Sequence, residues 1–503
     1  MQLKKLNLIV VLLLSSFYSI AQSGYNISIH LKNSKDTLAY LTYYQFDKTF
    51  IKDTCTQIKN GKIIFKGKEK LDKGIYSLVN QNKNLLFDFF IDDNTQNLEL
   101  KSEDGPNLIK ELTAVNSESE NQFFEYLRYV SEKNIGFQQL LKNTPPKTKK
   151  DTLAFIEKQS EIDKNIKEIE DKFIQSHKGT FIGDVINLKT EKTLNDPENK
   201  FDNLAKYNFY KNNYWSGVDF KDDATLRNPF FSNKLNKYFE NVIETHPDST
   251  CVEIDRMLNK TTQGSLIYKL LLSHFTYTYE SSKLMGFEKV FVHLSDKYFK
   301  TGKANGIYES DDVVNSIIKK ADKLKPLLIG AKAPDLWMIK ASDFGKMKGM
   351  GFEDANNSDE ITKVFYDHQQ EVNKMFVKLS DVKAEYTLLL FWDVDCGHCQ
   401  KEVPKILEVY NELIKEKKDV KVYSVYTLHE GQKYQKYISD HKLPWINVYD
   451  GAFYNNIAEK YDVVTTPILY ILDKNKVIRA KKIGADQIKF FIDLLENEAA
   501  DKI

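Results

Sequence analysis

The chain has 503 residues, 42% of them hydrophobic, which is more than one core serves and suits about two to four domains. Its 72 lysines and arginines nearly balance 71 aspartates and glutamates, and no basic block dominates. That balance excludes a nucleic-acid-binding surface, and four cysteines in so long a chain do not make a disulfide scaffold.

The N-terminal "MQLKKLNLIVVLLLSSFYSIAQ" has Lys4 and Lys5, an apolar run from Leu8 to Leu14, and Ser19-Ile20-Ala21 as a small-x-small cleavage site. A membrane anchor needs about 18 apolar residues, and Ser15 and Ser16 interrupt this run. Residues 1–21 therefore read as a signal peptide cleaved after Ala21, with an exported, periplasmic mature protein. No cysteine follows the cleavage site, so an N-terminal lipid anchor is not expected.

Over 22–103, segments such as "YNISIHL", "TLAYLTYY", "GKIIFKGK" and "LLFDFFID" are short, β-branched and aromatic, with turn signals such as Asn60-Gly61 between them. They predict a small antiparallel β sandwich. Over 104–328 the apolar spacing becomes three and four, in "ENQFFEYLRYVSEK", "FIEKQSEIDKNIKEIEDKFIQSH", "NKLNKYFENVIETH" and "LIYKLLLSHFTYTYESSKLM". This predicts an α-helical middle domain. A last helix, "SDDVVNSIIKKADKLKP", leads into a third part over 329–503, where strand and helix signals alternate as in an α/β sheet with parallel pairs. There "YTLLLFWDV" reads as a strand covered on both faces and "QKEVPKILEVYNELIKEKK" as the next helix. After them come "VKVYSVYTL", "GQKYQKYISDHK", "WINVYDG", a helix in "FYNNIAEKYDV", a hairpin around Lys474-Asn475 and the closing helix "ADQIKFFIDLLENE".

Cys396 and Cys399, separated by Gly397 and His398, fall where the buried strand ends and the helix begins. Unpaired N–H groups and the helix dipole favour a thiolate at Cys396, and Cys399, one turn on, is spaced to resolve a mixed disulfide formed there. A zinc site would need about four ligands, and Cys55, Cys251, His429 and His441 lack the spacing to supply them. A static disulfide closing so small a loop stabilises little. The pair reads as a redox centre that needs neither metal nor cofactor.

Residues 329–503 resemble the thioredoxin-fold domain of TlpA/ResA-like thiol-disulfide oxidoreductases. "IGAKAPDL" resembles that family's entry hairpin, "KLSDVKAEYTLLLFWDVDCGHCQKEVP" its strand and active-site helix, "HKLPWINVYD" its insertion, and "YDVVTTPILYILDKNKVI" its proline loop and terminal hairpin. The resemblance implies Cys396 as nucleophile, Cys399 as resolver, Glu402 as the catalytic carboxylate near the site, and Pro404 as a kink in the helix. It also implies a substrate-binding surface of Trp392, Gly397, His398, Thr466 and Pro467, with a cis bond before Pro467. Implied partners are protein thiols and disulfides, with a membrane thiol reductase as electron donor.

Two departures stand out: Leu390 occupies the place where thioredoxins proper carry a buried acid, and Asp395 puts a negative charge directly before the nucleophile. Residues 341–376 form an extra polar, partly helical insertion. The first two parts also resemble the β and helical regions that precede such domains in exported multidomain oxidoreductases, a likeness that supports architecture without a task.

The resulting expectation is an extracytoplasmic enzyme exchanging disulfides with proteins, as a reductase. Alternatives are a disulfide oxidase or isomerase, for which the Gly-His pair speaks, and a non-catalytic binding or scaffold protein, against which Cys396, Cys399 and Pro467 speak. A peroxidase would want a threonine and a proline where Asp393 and Leu389 stand. Cys55 and Cys251, almost two hundred positions apart, are expected to be buried thiols not joined to each other.

Overall fold

The computed structural model describes residues 24–500 except 197, 353 and 356, so the expected signal peptide and its cleavage site lie outside the described residues. Two compact units emerge, Met1–Thr245 with Asp255–Leu271, and His246–Ile254 with Leu272–Ile503. This division departs from both expected internal boundaries. There is no break at 103/104, because Phe123, Phe124, Tyr126, Phe173 and Ile182 from the helices share one core with strand residues such as Ile27, Leu41, Phe65 and Leu98. There is none at 328/329 either, because the preceding helices pack with the C-terminal sheet.

In the first unit the strands are β1 (Tyr25–Lys32), β2 (Ala39–Gln45), β3 (Lys48–Cys55), β4 (Lys62–Gly67), β5 (Gly74–Asn80), β6 (Leu85–Ile91), β7 (Asn97–Glu103) and β8 (Thr113–Ala114). They form two four-stranded sheets, ordered β4-β1-β7-β8 and β3-β2-β5-β6. Buried positions alternate along β1, where Ile27, Ile29 and Leu31 face the shared core. One pair departs from the antiparallel expectation: β1 and β7 run parallel, from Asn26 opposite Asn97 to Lys32 opposite Glu103. Between β4, on one side of β1, and β7, on its other side, the chain runs through β5 and β6 of the second sheet, so no tight turn dictates the direction of the β1–β7 pair. The Asn60-Gly61 turn has positive φ at both residues, 52° and 71°, and a Cβ on Gly61 would stand 2.0 Å from the Leu31 carbonyl oxygen.

The helix Glu118–Asn143 is capped by Ser117, and Lys149–Ser176 carries a capping box of Thr148 and Asp151. Glu120 turns inward from the first of these, and its fully buried carboxyl accepts the Phe90 N–H of edge strand β6 at 2.8 Å. Burial pushes that carboxyl well above its ordinary range, opposed by the hydrogen bond from the Phe90 N–H. Cys55 ends β3 and is buried, and Cys251, in the helix Pro247–Leu258 and in the other unit, is buried as well.

The second unit is built on a seven-stranded sheet of β9 (Trp337–Lys340), β10 (Phe376–Lys378), β11 (Tyr386–Trp392), β12 (Val420–Tyr426), β13 (Ile446–Tyr449), β14 (Ile468–Asp473) and β15 (Ile478–Lys481). Its order is β10-β9-β13-β12-β11-β14-β15, with β11, β12 and β13 mutually parallel and the flanking strands antiparallel. This is the mixed sheet of a thioredoxin fold. Strand β11 is covered on both sides: Leu388, Leu390 and Trp392 enter one core, and Leu389 and Phe391 the other.

The helix expected in "FYNNIAEKYDV" shrinks to Ile457–Lys460, because Phe453 and Asn456 before it take positive φ, 50° and 45°. The 341–376 insertion is not a polar appendage. Its Ala341, Met347, Phe352 and Val372 belong to the same core as Leu390 and Trp392.

A buried ion pair ties the helical segment of this unit to its sheet. Lys481, 2% exposed in β15, lies 2.6 Å from a Glu288 carboxylate oxygen at the start of the helix Glu288–Leu294, and donates to the Leu327 carbonyl at 2.7 Å. Burial pulls the Lys481 ammonium below its ordinary value, against the pull of Glu288. Removing one member of such a pair strands the other charge. Glu288→Ala is expected to destabilise this unit by about 3 kcal/mol, read by denaturant unfolding of the full chain, with Glu288→Gln losing less. An unfolding curve for Glu288→Ala that overlays the wild type would show that the pair holds nothing.

Candidate active site

The buried run Leu388–Trp392 of β11 ends at Trp392, and the chain must then leave the sheet. It does so through Asp393–Asp395, a turn closed by the Asp395 N–H donating to the Asp393 carboxylate at 2.8 Å. The helix Gly397–Lys415 starts immediately, with Cys396 at its N-cap position (φ −79°, ψ 117°). Cys396 is half-buried, whereas Cys399 is 0% exposed. Facing them is the loop before β14, where the Thr466–Pro467 bond is cis as expected and the Cys396 thiol lies 3.4 Å from the Thr466 carbonyl oxygen.

The two thiols are driven apart electrostatically. For Cys396, the opposing effect of burial is outweighed by hydrogen bonds from Thr466, from the backbone N–H of Cys399 and His398, and from the Cys399 side chain, so its thiol falls below the ordinary value. For Cys399, burial dominates and pushes the thiol up to about 11, with Cys396 adding to the rise. One cysteine is thus reachable and readily ionised; the other is enclosed and protonated.

Asp395, the negative charge beside the nucleophile, is met by Lys433 at 3.1 Å, a residue on the helix Gly431–His441. Lys433 also pairs with Glu430 at 2.6 Å. Nothing in the local sequence pointed to this neutralisation, because the partner lies on a different helix.

The remaining predicted site residues separate into three groups. Gly397 and His398 are exposed beside Cys396, and Thr466 and Pro467 are half-buried opposite it, so these four share one accessible face. Trp392 is a correction. It is 0% exposed, its indole N–H donates to Ser424 Oγ at 2.7 Å, and its ring packs edge-on against Tyr434 and Tyr437 at 5.7 and 5.0 Å, so it supports the site from inside and cannot touch a substrate.

Glu402 lies on the same helix three residues beyond Cys399, and its hydrogen bonds run to Lys405 and Ala485 and not to either cysteine. Lys405 at 2.7 Å holds its carboxyl below the usual range, opposed by burial and aided by the Ala485 N–H at 3.3 Å. A carboxylate so stabilised is a weak base toward a thiol as high as that of Cys399. Its visible role is to line a cavity of about 410 Å³ beside the proline loop, together with Val464, Pro467, Lys482 and Ile483. Val464, 80% exposed on the rim of this cavity, is a lining residue that sequence reasoning missed; its signal was only an apolar residue two positions before the Thr466-Pro467 step.

This constellation on this sheet defines a thioredoxin-like domain that carries a pair of cysteines at the start of a helix, opposite a cis proline. In agreement, residues 363–481 match the AhpC/TSA family, while 143–311 and 25–123 match two domain families of unknown function, DUF5106 and DUF4369. The chain is 28% identical over 113 residues to the sporulation thiol-disulfide oxidoreductase A of Bacillus subtilis, a match covering 21% of this chain and 66% of that protein, slightly under two thirds of its length. Among solved structures it is similar to a domain of a possible thiol-disulfide isomerase from Cytophaga hutchinsonii, at 31% identity, over 35% of this chain and 98% of that one, with a TM-score of 0.27. It is also similar to a thioredoxin-like protein from Bacteroides caccae, at 18% identity, over 60% of this chain and 98% of that one, with a TM-score of 0.34.

The asymmetry of the thiols sets a kinetic expectation. Alkylation of the reduced protein should modify Cys396 first, with a rate that rises with pH and levels off at lower pH than for an ordinary thiol, while Cys399 reacts only at much higher pH or after unfolding. Peptide mapping after brief alkylation reads this directly. Equal labelling of the two, or Cys399 first, would contradict the assignment.

Proposed function

We propose that the protein is an extracytoplasmic thiol-disulfide oxidoreductase that reduces disulfides in client proteins through Cys396 and Cys399. The observation that carries this is the pairing of an accessible, readily ionised thiol at a helix N-terminus with an enclosed, protonated one a single turn away.

The Cys396 thiolate attacks one sulfur of a client disulfide, the client S–S bond breaks, and the departing client sulfur leaves as a thiolate that takes up a proton. Cys399 then loses its proton and attacks Cys396. The mixed disulfide breaks, the second client sulfur departs and is protonated, and a Cys396–Cys399 disulfide remains. Two electrons have passed to the client, and an external dithiol, in this reading a membrane thiol reductase, restores the pair. An extended client segment lies against the Thr466 carbonyl, with Gly397, His398 and Val464 forming the rim.

Export rests on the N-terminal segment; no helix among the described residues is long and apolar enough to cross a membrane. A peroxidase reading is disfavoured because Asp393 and Leu389 stand where that chemistry wants a threonine and a proline.

Two measurements test the proposal. Cys399→Ser should accumulate mixed disulfides with reducible clients and Cys396→Ser should not, because only the first variant can attack without resolving. Equal accumulation would remove the assigned roles. The reduction potential of the pair should lie near the about −270 mV of thioredoxin for a reductase; a value near the about −120 mV of DsbA would reverse the direction of transfer.

A further inference from the structure

The cavity beside the proline loop is lined by three charged side chains, Glu402, Asp462 and Lys482, and two of them already have partners. Glu402 is held by Lys405 at 2.7 Å. Asp462 lies 3.2 Å from the ammonium of Lys323, which reaches it from the helix Asp311–Leu324 and also meets Glu459 at 3.4 Å. Lys482, exposed on the cavity wall, makes no ion pair among the described residues. Its backbone is fixed there by a positive φ of 55° and by its N–H, which donates to the Leu469 carbonyl at 2.8 Å.

Place matters as much as charge. The walls include Val464, Thr465 and Pro467, which flank the Thr466 carbonyl that lies 3.4 Å from the Cys396 thiol. A client sulfur that meets Cys396 thus brings its neighbouring side chains within reach of this cavity. At about 410 Å³, with Leu390, Ile406 and Ile468 among its walls, the cavity has the size of a ligand pocket and suits apolar side chains, and the one charge left without a partner in it is positive. Complementary charge across an interface selects partners more than it tightens them.

We propose that Lys482 is a specificity-determining residue that favours client segments carrying an acidic residue, beside an apolar one, next to the cysteine under attack, and that Lys323 is a positioning residue that neutralises Asp462 and so leaves Lys482 to the client. This inference rests on the proposed exchange activity and deepens it. Neither lysine takes part in a bond or proton transfer. Without Lys323, the Asp462 carboxylate would answer Lys482 from within the cavity, and no net positive charge would be left there. Lys323 does not line the cavity, so the helical segment acts on client choice from behind the proline loop.

The test uses the full chain in its reduced form and three peptides, each with one cysteine disulfide-bonded to an aromatic thiol whose thiolate absorbs visibly on release. Valine flanks the cysteine on both sides, and the next residue out on each side is Glu, Gln or Lys. The second-order rate of release should be about threefold higher for the Glu peptide than for the Gln peptide and lowest for the Lys peptide, with the differences narrowing as salt is raised. Lys482→Gln should erase this order and Lys482→Glu should invert it. Lys323→Met should erase it too, whereas Asp462→Asn, which removes the same ion pair from its other side, should keep or widen it. Equal rates for the three peptides in the wild type, or an order that survives Lys482→Gln, would overturn the inference. Should Lys323→Met fold poorly, Asp462→Asn decides its part: loss of the order there would overturn the role given to Lys323. Release from no peptide by the wild type would instead overturn the exchange activity itself.

Discussion

The site depends on a strand that is buried on both faces. Because β11 is apolar from Leu388 to Trp392 and lies between β12 and β14, its C-terminal end is held rigidly, and the turn after it has no freedom to place the next helix elsewhere. The helix therefore begins with Cys396 opposite Thr466, and its unpaired N–H groups converge on one sulfur. Loosening the cores around Leu390 or Leu389 would act on the chemistry through this end, without touching either cysteine.

Charge is managed around the cysteines by partners drawn from separate elements. Asp395 would raise the nucleophile, and Lys433 meets it from another helix; Glu402 would offer a base, and Lys405 and Ala485 hold it as a settled carboxylate instead. These are exposed or half-exposed pairs, so each contributes little to stability, and their effect is on local potential. The functional asymmetry comes mainly from depth: one turn of helix carries the chain from a half-buried sulfur to an enclosed one.

Away from the site, both units use buried ionisable groups where regular structure leaves loose ends. Glu120 closes an edge position of β6, and Lys481 with Glu288 fastens a helix to the outermost strand of the large sheet. Each meets a partner distant in sequence, and each lies where helices and strands that read as separable share one unit.

The sequence by itself determined most element types, the strand-to-helix junction at Cys396 and the pairing of two cysteines in a redox spacing, because these follow from local periodicity or from residues within a turn of one another, whereas the cis proline loop was legible only through resemblance to a family. It did not determine that Trp392 lies inward, since an aromatic residue at a strand end suits a binding surface as well as a core, and only the packing of Tyr434 and Tyr437 decides. It did not determine the parallel β1–β7 pair, the boundaries between units, or the neutralisation of Asp395 by Lys433, since each joins residues that no local pattern relates. The helix start already favoured a thiolate at Cys396, but the opposite shift of Cys399 belongs to the tertiary structure: two identical side chains three residues apart diverge because one faces solvent and hydrogen-bond donors while the other is closed into the core.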